Sequence, residues 1–372
     1  MNDIVLPRVT IHVGDCLESL RAMEAESVHC CVTSPPYWGL RDYGTADWEG
    51  GEEGCDHDQR RRENDPSSKS ATNAGQARDS VAGNGRCRKC GARRVDRQIG
   101  LEQTPAEYVA KMVDVFREVR RVLRKDGTCW INLGDSYAGS VALTTNEKAL
   151  KGKQGTSRGT HGNIGWRNIQ HDSKPKDLVG IPWRVAFALQ ADGWWLRQDI
   201  VWSKPNPMPE SVTDRCTKAH EYIFLLAKSE RYYYDAQAIA EKAMHAPSQE
   251  WVGGRRTVAG DSLQQVHPAG SCHTLGDGIT RNKRSVWTVA TQPYPEAHFA
   301  TYPPKLIEPC ILAGCPADGT VLDPFGGSGT TAAVAVKHGR SAVLCELNPA
   351  YAQLAERRVR EQLDGVGLFV GE

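Results

Sequence analysis

Apolar and polar positions along this chain follow two alternating periods. Val9-Thr10-Ile11-His12-Val13 has the period of two expected of a strand, and Val28-His29-Cys30-Cys31-Val32-Thr33 reads as a second one. Between them, 16–26 reads as a short helix. At Thr104 the period lengthens. Thr104 and Glu107 form a capping box, Pro105 takes the first helical position, and Val109, Met112, Val113, Phe116, Val119 and Leu123 share one face. The spacing predicts a helix ending at Gly127 and a strand over 128–133. Further helices are predicted over 181–190, 303–313, 330–338 and 349–363, with strands near 196–202, 221–226, 319–322 and 341–345. Strands alternating with helices predict an α/β fold, doubly wound around a mostly parallel sheet. Ligands in such folds bind at the carboxyl ends of the strands.

Three polar stretches interrupt the pattern, at 44–100, 138–176 and 236–290. They divide the chain into a core of 1–235 and 291–372, with insertions over about 50–98 and 138–176, and a separate region over 236–290. Composition changes little in this picture. Of 372 residues, 40% are hydrophobic and 24% charged, as in ordinary soluble proteins. A net charge of +1 argues against a protein coated in positive charge, but it leaves room for local basic surfaces. Arg86-Cys87-Arg88-Lys89-Cys90-Gly91-Ala92-Arg93-Arg94 is one, and Arg281-Asn282-Lys283-Arg284 another. The first residues lack a basic region followed by an apolar core, and no run approaches the ~18 apolar residues of a membrane span. The cytoplasm is the expected location.

Two turns carry chemistry. The stretch VTSPPYWG, 32–39, ends a strand with two prolines, which cannot continue it. The result is a rigid turn that presents a hydroxyl, backbone carbonyls and aromatic rings. The second turn is Asp323-Pro324-Phe325-Gly326-Gly327-Ser328-Gly329-Thr330, joining a strand to a helix. Its glycines let the backbone approach a ligand. Glu346 ends the next strand, placed as a ribose-binding acid would be. The turn lacks the Gly-Lys-Ser/Thr of a P-loop and the G-x-G-x-x-G of a dinucleotide site. Asp323 would repel a pyrophosphate and suits a cationic nucleoside such as S-adenosylmethionine.

Together these turns resemble the amino-methyltransferases of DNA, in the circularly permuted group whose SPPY motif precedes FxGxG. The likeness covers most of 1–58 and 100–360. It implies that Asp323, Phe325, Gly326, Gly327, Ser328, Gly329, Thr330 and Glu346 hold S-adenosylmethionine. His298 and Thr301, in His298-Phe299-Ala300-Thr301-Tyr302-Pro303, would flank the methionine end, and Asp15 would lie near the adenine. Ser34, Pro35, Pro36 and Tyr37 would form the catalytic turn. An exocyclic amine is a poor nucleophile because its lone pair is delocalised into the ring. Acceptors on its N–H bonds, from Ser34 Oγ and the Pro35 carbonyl, favour the tetrahedral geometry needed for attack. Tyr37 can stack on the base, which must leave the duplex to reach the pocket.

Relatives with Ser at this position usually methylate cytosine N4, and those with Asp adenine N6. Trp38 either narrows the pocket toward cytosine or packs into the core. Rival readings are methylation of RNA or of a glutamine amide, and a DNA reader with an inactive core. Double-stranded DNA is the expected partner, with a cognate restriction endonuclease a further one and no membrane. The 236–290 region, with 138–176, is expected to read the target sequence, and Arg281, Lys283 and Arg284 are among the expected DNA contacts.

Of twelve cysteines, several sit in apolar strands and behave as small hydrophobes. Cys55 and His57, paired with Cys87-Arg88-Lys89-Cys90, read instead as a structural zinc knuckle, although Cys-x-His is tighter than the usual spacing. A loop with no core of its own needs such a staple. Arg88, Lys89, Arg93 and Arg94 would then face phosphates from a fixed surface.

Overall fold

The computed structural model describes residues 3–39, 45–55, 86–87, 89–138, 173–242, 273–275, 278–292 and 301–365. Strands β1 (Ile4–Leu6) and β2 (Val9–Val13) lead through helix α1 (Cys16–Ala22) to strand β3 (Val28–Thr33). Strands β4 (Asp47–Glu49) and β5 (Arg93–Val95) pair with each other ahead of helix α2 (Pro105–Val122) and strand β6 (Leu123–Leu133). Helix α3 (Ile181–Ala191) and strands β7 (Trp195–Ser203) and β8 (His220–Ala227) follow. Next come the short strands β9 (Glu241–Lys242), β10 (His273–Leu275), β11 (Gly278–Arg281) and β12 (Val286–Thr288). The last elements are α4 (Pro304–Gly314), β13 (Thr320–Asp323), α5 (Thr330–Lys337), β14 (Ser341–Glu346) and α6 (Pro349–Gly365).

The main sheet is ordered β1-β2-β14-β13-β3-β6-β8-β7-β12. From β2 to β6 every neighbour is parallel. Strand β8 runs antiparallel between β6 and β7. Each central strand feeds two cores by alternation. Cys30, Val32, Trp130, Val321 and Leu344 face one side, where Leu306, Ile311, Val334, Ala335 and Val359 of α4, α5 and α6 cover them. Cys31, Cys129, Ile131, Leu322 and Cys345 face the other, under Leu20, Met112, Phe116, Val119, Val185 and Leu189 of α1, α2 and α3. This is the doubly wound sheet that the sequence predicts.

The helix expected to run to Gly127 stops at Val122. Leu123 is already extended, and residues 124–127 bulge out of the β3–β6 register. Their carbonyls are taken by another chain segment: Lys228 N–H donates to Gly127 O at 3.1 Å and Tyr233 N–H to Asp126 O at 2.9 Å. Helix α1 also ends early, at Ala22, where Met23 turns extended; Glu26, at φ +58°, then donates its N–H to Arg121 O. Within 236–290, strand β12 joins the edge of the main sheet, parallel to β7, so this stretch is not wholly separate from the core. Among the described residues no helix is long and apolar enough to cross a membrane.

Candidate active site at the ends of strands β3 and β13

Strands β13 and β3 are neighbours, with Val321 opposite Cys30 and Leu322 opposite Cys31. The chain leaves β13 through α5 toward β14, and leaves β3 through α2 toward β6, on opposite faces and in opposite directions. Their carboxyl ends therefore frame the crevice where such sheets bind ligands. The glycine-rich turn follows β13 and the Ser-Pro-Pro-Tyr turn follows β3. Motifs nearly 290 residues apart are brought together by one strand pair.

Asp323 sits otherwise than the sequence suggests. It is 1% exposed, and four donors fill its carboxylate. Thr33 Oγ1 (2.6 Å) and Phe325 N–H (3.0 Å) donate to Oδ1, and Thr331 Oγ1 (2.6 Å) and Tyr302 Oη (2.9 Å) to Oδ2. Burial raises its pKa and these bonds pull it down. No lone pair is left facing a ligand, so Asp323 ties the two turns together. Thr33 immediately precedes Ser34, and Phe325 opens the glycine turn.

The glycines also divide by role. A Cβ on Gly326 would lie 2.9 Å from Leu344 Cβ, and one on Gly329 2.8 Å from Ala355 Cβ, so both serve packing. Gly327, at φ +50°, has only the Phe325 carbonyl near, at 3.8 Å, and is where the backbone is open to a ligand. Ser328 and Thr330 are buried, and their hydroxyls accept from Arg358 of α6 at 3.0 and 2.7 Å. Glu346 closes the cradle: Gly327 N–H donates to Oε2 at 2.7 Å and Asn348 N–H to Oε1 at 2.8 Å. Burial pushes its pKa up to about 7 against the pull of those amides. Asp15 caps α1, accepting from Leu17 and Glu18 N–H, at the end of a strand paired with β14. Thr301 is half-buried beside Tyr302, and His298 lies outside the described residues.

On the β3 side, Pro36 O accepts from Tyr108 Oη of α2 at 2.9 Å, which fixes the turn from behind. Ser34 Oγ has only long contacts, 3.4 Å to Tyr37 Oη and 3.5 Å to Asn132 Oδ1. Asn132 Nδ2 donates to Tyr222 O at 3.1 Å, so its Oδ1 is an acceptor, with the Tyr37 hydroxyl at 3.0 Å and Ser34 Oγ at 3.5 Å. Tyr37 packs against Gly134, where a Cβ would come within 2.5 Å of its ring. Its hydroxyl donates to Glu221 Oε2 at 2.7 Å, and Lys204 holds the other oxygen of Glu221. Burial and the Glu221 charge keep Tyr37 protonated, its pKa well above the usual range. Trp38 is 1% exposed and its Nε1 donates to Glu102 O, so it belongs to the core and does not narrow a base pocket.

The sulfurs of Cys55, Cys87 and Cys90 lie within 4.8 Å of one another. Desolvation and the neighbouring Cys90 and Cys87 push the Cys55 thiol up to about 12. Lys89 N–H donates to Cys87 Sγ at 3.4 Å, and Gly51 leaves the room that Cys90 fills. His57 and Arg88 lie outside the described residues, as does the side chain of Arg94. Lys89 and Arg93 are exposed. Arg281, Lys283 and Arg284 converge on the single carboxylate of Glu241, at 3.5, 3.9 and 3.0 Å, leaving a net positive cluster.

The profile of the DNA methylase family of N6/N4 methyltransferases matches residues 28–357. The chain is 39% identical to the type II methyltransferase M.Cfr9I of Citrobacter freundii over 352 residues, 94% of this chain and 87% of that one. It is 38% identical to M.SmaI of Serratia marcescens, over 94% and 90% of the two chains. The solved structure of PvuII DNA methyltransferase, named as cytosine-N4-specific, superposes with a TM-score of 0.54 at 16% identity, over 97% of this chain and 92% of that one. The chain belongs to the DNA methylase family of N6/N4 methyltransferases.

Proposed function

We propose that this enzyme methylates the N4 amine of a cytosine swung out of double-stranded DNA, with S-adenosylmethionine as methyl donor. The observation that carries the reading is the loosely held Ser34 hydroxyl, beside Asn132 Oδ1, on a turn joined through Asp323 to the glycine cradle. Bound cofactor supplies an electrophilic methyl group. Gly327 and Glu346 are the residues that would hold it, the one open to a ligand and the other a carboxylate aimed at the cradle. Ser34 Oγ and the Pro35 carbonyl orient the amine, and Asn132 Oδ1 can accept the hydrogen bond of the Ser34 hydroxyl, which leaves the Oγ lone pairs to the amine. The motif order supports the permuted arrangement, and the relatives' type II names support a cognate endonuclease as partner and a cytoplasmic home. Cytosine rests on Ser34, and adenine N6 is the second reading. Mass spectrometry of nucleosides from modified DNA tests it: N4-methylcytosine is expected, and N6-methyladenine alone would overturn the choice of base. Residues 236–290, with Arg281, Lys283 and Arg284, and the knuckle's Lys89, Arg93 and neighbouring arginines are the proposed DNA contacts.

Glu346 makes cofactor binding pH-dependent. A carboxyl near 7 accepts hydroxyls best once ionised, so affinity for S-adenosylmethionine should rise from pH 5.5 to about 7.5 and then level off. Stability of the protein alone follows the opposite sign. The raised carboxyl costs nothing below its ordinary value of 4.5, and stability falls as pH rises from there toward 7. Glu346→Gln should flatten the titration followed by calorimetry. A curve of unchanged steepness would remove Glu346 from the cofactor site.

A structural zinc belongs to the same reading, held by Cys55, Cys87, Cys90 and His57. Tetrahedral zinc at ~2.3 Å from each thiolate sets sulfurs about 3.8 Å apart, within reach of this cluster. Metal analysis should find one zinc per chain, lost on joint replacement Cys87→Ser and Cys90→Ser. Active protein without metal, prepared free of chelator, would refute it.

A further inference from the structure

The chain leaves β7 as Lys204-Pro205-Asn206-Pro207-Met208-Pro209-Glu210. Three alternating prolines fix their own φ and hold Lys204, Asn206 and Met208 extended. The segment is also anchored. Lys204 N–H donates to Ala219 O at 2.8 Å, and Thr291 N–H to Asn206 Oδ1 at 3.0 Å. Asn206 Nδ2 returns a bond to Thr291 O at 3.3 Å, and Arg215 pairs with Glu210. The Arg215 guanidinium in turn lies 3.8 Å over the Tyr137 ring. On this stiff mount Met208 is 87% exposed, the most exposed large hydrophobic side chain among the described residues.

Its place is telling. Strand β7 is antiparallel to β8, which is antiparallel to β6, which is parallel to β3. The end of β7 therefore lies at the same end of the sheet as the Ser-Pro-Pro-Tyr turn. Lys204 pairs with Glu221, and Glu221 accepts from Tyr37. The stem is thus two polar contacts from the catalytic turn, and four residues of extended chain carry Met208 at most about 14 Å from Lys204. Around the same loop Lys176 pairs with Asp214 and Arg215 with Glu210, and Lys218 donates to Asp135 O.

A base that swings out leaves an unfilled step in the stack, and apolar side chains, Met and Pro among them, are the wedges that enter such steps. The geometry points to Met208, flanked by Pro207 and Pro209, as the wedge that fills the duplex where the target base departs. This rests on the swung-out base proposed above.

The test uses full-length protein and duplexes carrying the site identified by sequencing DNA from an expressing host. A 2-aminopurine beside the target base reports unstacking by a rise in fluorescence. Met208→Gly should lose tenfold or more in methylation rate on the fully paired duplex. It should regain most of that rate when the target base faces an abasic site, where swinging out is easy. Met208→Phe should stay within a few fold of the natural protein, and cofactor affinity should be unchanged in both. A full rate for Met208→Gly on paired DNA, or an equal loss on both duplexes, overturns the wedge alone. No fluorescence rise and no preference for the abasic duplex in the natural protein would instead remove the swung-out base, and the wedge with it.

Discussion

Asp323→Asn should unfold this enzyme more readily by about 3 kcal/mol, because an amide cannot replace a buried carboxylate that accepts four hydrogen bonds. One oxygen would become an NH₂ group facing either Thr33 and Phe325 or Thr331 and Tyr302, donor against donor. Single deletions around the hub, Thr33→Val and Tyr302→Phe, should each remove about 1–2 kcal/mol, since each takes away one bond to a charged group. Urea titration measures this as a lower midpoint with an unchanged slope. Cofactor affinity should fall as well, by tenfold or more, because Phe325 N–H and the glycine turn lose their tether. If Asp323→Asn kept full stability and lost only the cofactor, Asp323 would touch the ligand directly and the hub would be wrong.

That reversal shows where sequence reasoning stops. Asp323 reads as a ligand-binding acid because it precedes a glycine turn. Two of its partners are unreadable from there: Thr33 lies 290 positions away and Tyr302 lies 21 away. Local chemistry was legible. Thr104, Pro105 and Glu107 form the capping box that their spacing announces, since every partner is within one turn. The Cys87–Cys90 spacing likewise anticipates sulfurs that do converge, with Cys55 beside them. Gly127 misled because glycine stops helices, but here the stop comes at Val122, Leu123 is already extended, and Lys228 and Tyr233 bind the carbonyls of 126–127 beyond it. The side of the site around Tyr37 was largely illegible. Asn132, Lys204 and Glu221 come from β6, the end of β7 and the start of β8, and each reads alone as an ordinary polar position. Glu221 next to Tyr222 gave one signal: a charge opening an otherwise apolar strand.

Ser34→Ala should lower the methylation rate about 100-fold while leaving S-adenosylmethionine affinity within twofold. The magnitude is that of losing one preorganised polar group at a reacting centre. Ser34 Oγ is 3.4–3.5 Å from its protein neighbours, too far for strong bonds, so its removal releases little within the fold. Stability should therefore stay near the natural value, in contrast to Asp323→Asn. The two substitutions separate the two halves of the site. One group organises the turns, and the other is the one proposed to meet the amine. Asn132→Ala should fall between them, because it loses both the acceptor facing Ser34 and the bond from Nδ2 to Tyr222 O. Single-turnover kinetics with saturating cofactor isolates the chemical step from binding and product release. An unchanged single-turnover rate in Ser34→Ala would take the hydroxyl out of catalysis and leave the Pro35 carbonyl as the acceptor on the amine.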